Sequence, residues 1–464
     1  MALVACGYVD GMSGLRHPWT GLTGLVNLGV LSRWMSPGLV AAAVSGRARR
    51  PARPSPLTPE FMAYFMVALA LWPQDSYDDV LENLTAGVPE LAGARVDKSS
   101  LAWARLRLGA PAMAEVFAGV AADPVASPGT AGARWRGRLV LAVDGFVVDL
   151  PESKANRRVF GGPSGGTRPV RDTPYPQAKV VTLAECGTHG LRAAAIGAYA
   201  TGERELAGQL LAGLDRRHIV LFDAGYPSVR LFQALNATGA AVLMRADVRV
   251  GSNEHGLTPL GDGTALAVVR MKGRHDSHRP EHQVTLRVIE YRVGGGDTIR
   301  LLTNLTDPAT APADELAALY AERWQTEQAF REIKTIQQGH GYVLRSRTPV
   351  LARQEIWAHL TLHVLLNRLA TDLADRNGQD PDRISFVKVL KHARRTVITQ
   401  ITAIAKTAAT DLRRWLNPAR PPRTSPRAVK RARNRYKLRP PGSLGKPVTT
   451  PAPPRTLTLT PLLT

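Results

Sequence analysis

At 464 residues the chain is too long for one ordinary hydrophobic core, so roughly two to four domains are expected. Sixty basic residues against 38 acidic ones leave a net charge of +22, which selects a polyanion, nucleic acid above all, as the partner class without naming an activity. Cys6 and Cys186 lie far apart without metal-ligand spacing, which excludes a disulfide framework and a cysteine zinc site, and no apolar run approaches the about 20 residues that span a bilayer.

Residues 1–125 read as helical. Met1–Val44 lacks the basic start and clean apolar core of a signal peptide, which points to a cytoplasmic protein with no membrane partner. Phe61–Trp72 is an apolar helix entered through Thr58, Pro59 and Glu60 as cap, first position and early carboxylate, and stopped by Pro73. Ser76 caps another helix. Leu101–Gly109 is an amphipathic basic helix that opens at Ser99 and Ser100 and ends on glycine. Short helices with arginines on one face suit a domain that binds DNA ends, and equally a helical packing domain with solvated arginines.

After a Pro/Gly/Ala linker, Arg138–Asp144 reads as a buried strand ending in Asp144-Gly145. Gln177–Cys186 and Leu191–Tyr199 are the next two strands, and Glu203–Leu214 is a helix. His218–Asp223 is a fourth strand, again ending in aspartate. A single strand-end Asp-Gly is more often a turn former than a ligand. Two in this β-β-β-α-β order open a ribonuclease-H-like fold. The loop 151–176 is too long for an ordinary connection and carries Lys154, Arg157, Arg158, Arg168 and Arg171. Far more residues separate Asp223 from the next motif than one crossover needs. Ala241–Val250, Ala265–Met271, Gln283–Val293 and Thr298–Leu305 alternate like strands with Gly-rich turns between them.

Tyr320 to Lys334 has no Gly or Pro and reads as a helix. At about 100° per residue, Tyr320, Arg323, Glu327 and Lys334 share an arc of about 60°. Leu319, Phe330 and Ile333 form an apolar face beside it, and Glu322, Gln325, Gln328 and Glu332 take the far side as a wet face. Beyond it, Arg345 and Arg347 are candidate phosphate contacts. Ala352–Ala374 and Ser385–Ile404 are helical, making 348–416 a helical region. Residues 417–464 hold many basic residues, Lys430 and Arg431 among them, and no acidic one. They read as a disordered tail bound electrostatically to nucleic acid.

The spacing Tyr-x2-Arg-x3-Glu-x6-Lys resembles the signature of the DDE transposases of the fourth insertion-sequence family, and the N-terminal region resembles that family's N-terminal domain. The resemblance covers most of residues 55–440; the four-residue motif is specific and the two aspartate motifs are weaker. It implies an α/β protein whose ribonuclease-H-like catalytic core, 136–347, is interrupted by a β-rich insertion over about 236–305. A helical DNA-binding domain precedes that core and C-terminal helices follow it. It further implies a metal-dependent enzyme that cleaves inverted-repeat ends and transfers the strands into target DNA. Asp144, Asp223 and Glu327 would be both catalytic residues and metal ligands, holding Mg2+ or Mn2+ as a pair of ions. Tyr320, Arg323, Lys334, Arg345, Arg347, Lys430 and Arg431 would contact DNA. The partners would be double-stranded DNA, as transposon ends and target, with a dimer forming on DNA in the nucleoid. Two alternatives stay open: a metal nuclease of the same fold without strand transfer, and a non-catalytic basic DNA-binding protein.

Overall fold

The computed structural model describes residues 26–51, 55–91, 96–163, 175–247, 256–270, 279, 282–293, 297–402, 414–417 and 457–462. Lys430, Arg431, Arg168 and Arg171 lie outside the described residues. Helices α1 (Pro37–Val44) and α2 (Pro59–Leu71) each begin on proline behind a hydroxyl cap, Ser36 accepting from the Leu39 amide and Thr58 from that of Phe61. Ser76 and Asp79 close a reciprocal capping box on α3 (Tyr77–Thr85). α4 (Lys98–Val120) is capped by Asp97 rather than by Ser99 or Ser100. It breaks at Gly109, whose φ of 74° precedes Pro111, so the glycine stop is a kink between two helical segments.

The chain then runs through β1 (Arg134–Trp135), β2 (Arg138–Asp149), α5 (Lys154–Phe160), β3 (Gln177–Glu185), β4 (Leu191–Ala198) and α6 (Glu203–Gly208). There follow β5 (His218–Phe222), α7 (Val229–Thr238), β6 (Ala241–Ala246), β7 (Leu257–Pro259), β8 (Ala265–Arg270), β9 (Gln283–Val293), β10 (Ile299–Thr303) and α8 (Ala313–Leu319). A 3-10 turn (Tyr320–Arg323), α9 (Trp324–Arg331) and a π-helical turn (Glu332–Gln337) lead to α10 (Pro349–Asp375), α11 (Phe386–Ile398) and β11 (Leu457–Leu459). Helix α6 is shorter than its sequence suggests, ending at Gly208, and the stretch up to Leu214 forms turns.

These elements form two compact units, each assembled from three stretches of chain. The helical unit takes the described residues of Met1–Ala133, Gly145–Leu210 and Gln325–Trp415. The sheet unit takes Arg134–Asp144, Leu211–Trp324 and those of Leu416–Thr464.

Within the helical unit, α10 packs on α2, α4 and α11 and is buried along most of its length. The distribution of apolar residues explains this packing. α2 is apolar all round and must be enclosed, whereas α11 buries Phe386, Val389, Leu390, Ala393 and Val397 on one side only. The fully buried Arg105 donates to Gln354 Oε1 at 3.1 Å, to Ser346 Oγ at 2.9 Å and to the Tyr77 hydroxyl, so no donor charge is stranded there. Strands β3 and β4 pair antiparallel.

Within the sheet unit, the strand order is β2-β5-β6-β10-β9-β8-β7. β5 is parallel to both β2 and β6, and the strands from β10 to β7 pair antiparallel. Ala241–Ala246, expected in the β-rich insertion, is thus a parallel strand beside β5, and the insertion's remaining strands extend the same sheet. β2 contributes Arg138–Asp144 to this unit and its remaining residues to the helical unit. One part of the tail departs from expectation. Leu457–Leu459 is ordered as β11, antiparallel to β9, and Thr460 N donates to Glu290 O at 2.9 Å. The Leu-Thr-Leu-Thr alternation there has strand character, which a reading of the tail by charge alone passes over.

Candidate active site

The sheet unit brings two of the expected carboxylates together. β2 and β5 run parallel, and their last paired residues are Val143 and Phe222. Asp144 and Asp223 are the next residues of each strand, so they occupy equivalent positions at the carboxyl end of that pairing. Asp144 does not end its strand, because β2 continues to Asp149. Gly145 is therefore no turn former. A Cβ there would meet Val181 Cγ2 at 3.3 Å and the Glu203 carboxyl carbon at 3.4 Å, so glycine admits the neighbouring strand and side chain. Asp223 does enter a turn, its Oδ1 accepting from the Gly225 amide at 2.8 Å.

Arg323 Nη1 donates to Asp144 Oδ2 at 3.3 Å, with the two side chains 13% and 17% exposed. The contact is charge-assisted, and both groups are largely enclosed. Tyr320 differs from its expected role. It is buried, and its hydroxyl donates to the Phe222 carbonyl at 3.2 Å, directly before Asp223. Burial pushes the phenol up to about 12, so it stays protonated and is no tyrosinate nucleophile. Asn304, near the end of β10, donates to the Ala240 carbonyl at 2.9 Å and accepts from the Val242 amide at 2.8 Å, which ties it to β6.

The helical unit carries the third carboxylate. Glu327 stands half-buried on α9, and Lys334 is exposed on the π-helical turn. The uniform helix expected over 320–334 is in fact three geometries in succession: 3-10, α and π. A wheel drawn at one angle per residue therefore misplaces residues across the joins. Phe330 and Ile333 are buried as expected, Phe330 against the Phe146 ring at 4.7 Å. The far face is not wet. Gln325 is half-buried and Glu332 is 13% exposed, and both meet His189, in the β3–β4 turn.

Arg345 is turned inward. Its guanidinium donates to the Asp75 carbonyl at 2.9 Å and to that of Pro73, and lies over the Tyr77 ring. Arg347 is exposed, and its carbonyl accepts from Ser153 Oγ at 2.7 Å. Asn156, fully buried, donates to the carbonyls of Pro151 and Ser346, so the start of the long loop is a strut under residues 346–347. Two features escaped the sequence reading: the Tyr320 strut and the His189 contacts. The only signal for the second was a histidine, rather than glycine or asparagine, in the Thr188-His189-Gly190 turn.

Among the described residues, no group of three or more His, Cys, Asp or Glu side chains is drawn together so as to hold a metal ion, and no helix is long and apolar enough to cross a membrane. The donor chemistry of the sheet unit nevertheless fits a hard divalent cation. Asp144 and Asp223 offer carboxylate oxygens at neighbouring strand positions, which suits magnesium or manganese and not a soft metal.

Two stretches of the chain match known families. Residues 25–118 match the insertion element 4 transposase N-terminal family, and residues 135–365 match the transposase DDE domain. Transposase InsG for insertion sequence element IS4, from Escherichia coli strain K12, is 30% identical over 383 residues, covering 82% of this chain and 83% of InsG. Among solved structures, a piggyBac transposase synaptic complex with hairpin DNA is similar over 85% of this chain and 84% of its own, at 11% identity and a TM-score of 0.41.

Proposed function

The chain belongs to the insertion-element-4 family of DDE transposases, and we propose that it cleaves inverted-repeat ends and joins them to target DNA with Asp144, Asp223 and Glu327 as its catalytic carboxylates. The observation that carries this reading is the placement of Asp144 and Asp223 one residue beyond the last pair of two parallel strands, with Arg323 on Asp144. These three side chains would hold a pair of Mg2+ or Mn2+ ions. When bound, the metal supplies Lewis acidity for in-line displacement at phosphorus.

The chain's own residues have separable tasks. Arg323 orients the Asp144 carboxylate and carries the guanidinium fork whose shape suits a DNA phosphate. Lys334, exposed, serves as a point charge for the backbone of double-stranded DNA. Arg347 is an exposed candidate for the same role. The inward contacts of Arg345 favour a structural task over phosphate binding, and those of Tyr320 favour bracing the β5 end over stacking on a base. The N-terminal helices and the basic residues at Lys430 and Arg431 would add sequence-independent DNA contacts, and a dimer on DNA would pair two ends.

The test is incubation of the full chain with precut end duplex, supercoiled plasmid and Mg2+. Plasmid carrying joined ends is the expected product. Cleavage without joining would make the protein a metal nuclease, and binding with neither reaction would make it a non-catalytic DNA-binding protein.

A further inference from the structure

Behind α9, and wholly within the helical unit, lies a buried polar cluster that the reaction chemistry does not use. His189 Nδ1 is 2.9 Å from Glu332 Oε1, and its Nε2 is 3.1 Å from Gln325 Oε1. The Gln325 amide nitrogen donates to Asp382 Oδ2 at 2.6 Å, which fixes the orientation of that amide and turns its oxygen toward the histidine. Both ring nitrogens therefore face acceptors, and both must carry protons for the two bonds to form. The ring is an imidazolium on geometric grounds. Asp382 Oδ1 lies a further 3.4 Å from Nε2.

The backbone of His189 is held as well. Its φ is 58°, a left-handed conformation that costs a side-chain-bearing residue about 1–2 kcal/mol. His363 Nε2 lies 3.0 Å from the His189 carbonyl, within donating distance. A turn that tolerates this conformation would take glycine, so the imidazole is what the position needs.

Within α9, at about 100° per residue, Gln325 points about 160° away from Glu327. Glu332 opens the π-helical turn directly after the helix, so the two contacts with His189 bracket α9 at its start and just past its end. We propose that His189 is a positioning residue for the reaction: its imidazolium clamps Gln325 and Glu332 from behind and so fixes the rotation of Glu327 about the α9 axis. The inference rests on Glu327 being a catalytic carboxylate, but the clamp itself does not. The groups facing the ring are Glu332, Asp382 and His363, with Asp380 beside Asp382. Burial alone would depress His189, but the Glu332 and Asp382 carboxylates outweigh it and raise its pKa to about 9. The clamp should accordingly loosen as pH rises through that value.

The test compares His189→Gln with the wild-type full chain by amide hydrogen exchange, end binding and end cleavage. Exchange over 324–331 should quicken about tenfold or more while β3 and β4 keep their protection, because one pivot is lost and the hairpin is not. Cleavage should slow about tenfold with the end-binding Kd changed less than about twofold, since only a group used in the chemical step is displaced. Unchanged protection over 324–331 overturns the clamp, and so does slowed cleavage with an equal loss of binding. If His189→Gln does not fold, wild-type exchange decides: protection of 324–331 lost selectively as pH passes about 9 upholds the clamp, and uniform behaviour overturns it. A Glu327→Gln protein that cleaved normally would sink the carboxylate assignment instead and leave the exchange result standing.

Discussion

Tyr320 and Arg323 are three residues apart in one signature and do different things. The phenol is buried and braces the Phe222 carbonyl, while the guanidinium meets the Asp144 carboxylate. Tyr320→Phe removes one hydrogen bond and little volume, so it should lower the unfolding free energy by about 1 kcal/mol and leave end binding unchanged. Urea unfolding and a binding isotherm check this; weaker binding at unchanged stability would return Tyr320 to the DNA interface. The histidines make stability depend on pH in opposite senses. His189, raised to about 9, binds its proton more tightly folded than unfolded, so its contribution is complete below about 6.5 and is lost as pH rises through 9. His359 and His363, lowered by burial to about 4, favour the folded state above about 6.5, and that advantage is lost as pH falls through 4. The urea midpoint of the wild type should therefore peak near pH 6–7. A midpoint rising steadily from pH 6.5 to 9 would contradict the charged state assigned to His189.

At the scale of elements, the sequence was most legible where local chemistry decides the outcome. Thr58-Pro59 and Ser76 start their helices as read, and β2 pairs side by side with β5, the strand that leads into Asp223. It was least legible where long-range contacts override a local rule. Asp144-Gly145 looks like a turn, yet β3 and Glu203 close on the bare Gly145 and the strand continues. Glu332 and Gln325 look solvated by helical period, yet a residue more than a hundred positions earlier claims both. The changes from 3-10 to α to π geometry leave no mark in composition at all. Gly109 is a place where backbone chemistry can be tested alone. Its φ of 74° disfavours any Cβ, while the nearest atom to one would be Pro111 Cδ at an ordinary 3.6 Å. Gly109→Ala should cost about 1–2 kcal/mol of stability through backbone strain without a steric clash. Full retention of the urea midpoint would show that the kink can relax.

Across the whole molecule, the net charge of +22 suits contact with DNA, and on the proposed reading the three carboxylates would set what happens to it. Neutralising Arg427, Lys430, Arg431 and Arg433 together spares the β11 residues. It should weaken binding to all duplexes alike and flatten the log–log salt dependence by about 0.9 for each phosphate contact removed. An unchanged slope with lost preference for the transposon ends would make that segment a specificity element. The central claim concerns Asp144, Asp223 and Glu327, and the most direct measurement is joining of precut ends to plasmid by Asp144→Asn, Asp223→Asn and Glu327→Gln, read beside end binding. Each variant should lose joining by about a hundredfold or more with both Mg2+ and Mn2+ while binding ends nearly as well as the wild type, because ligand charge is lost and phosphate contacts are kept. Near-normal joining by any one of the three would remove that residue from the active site.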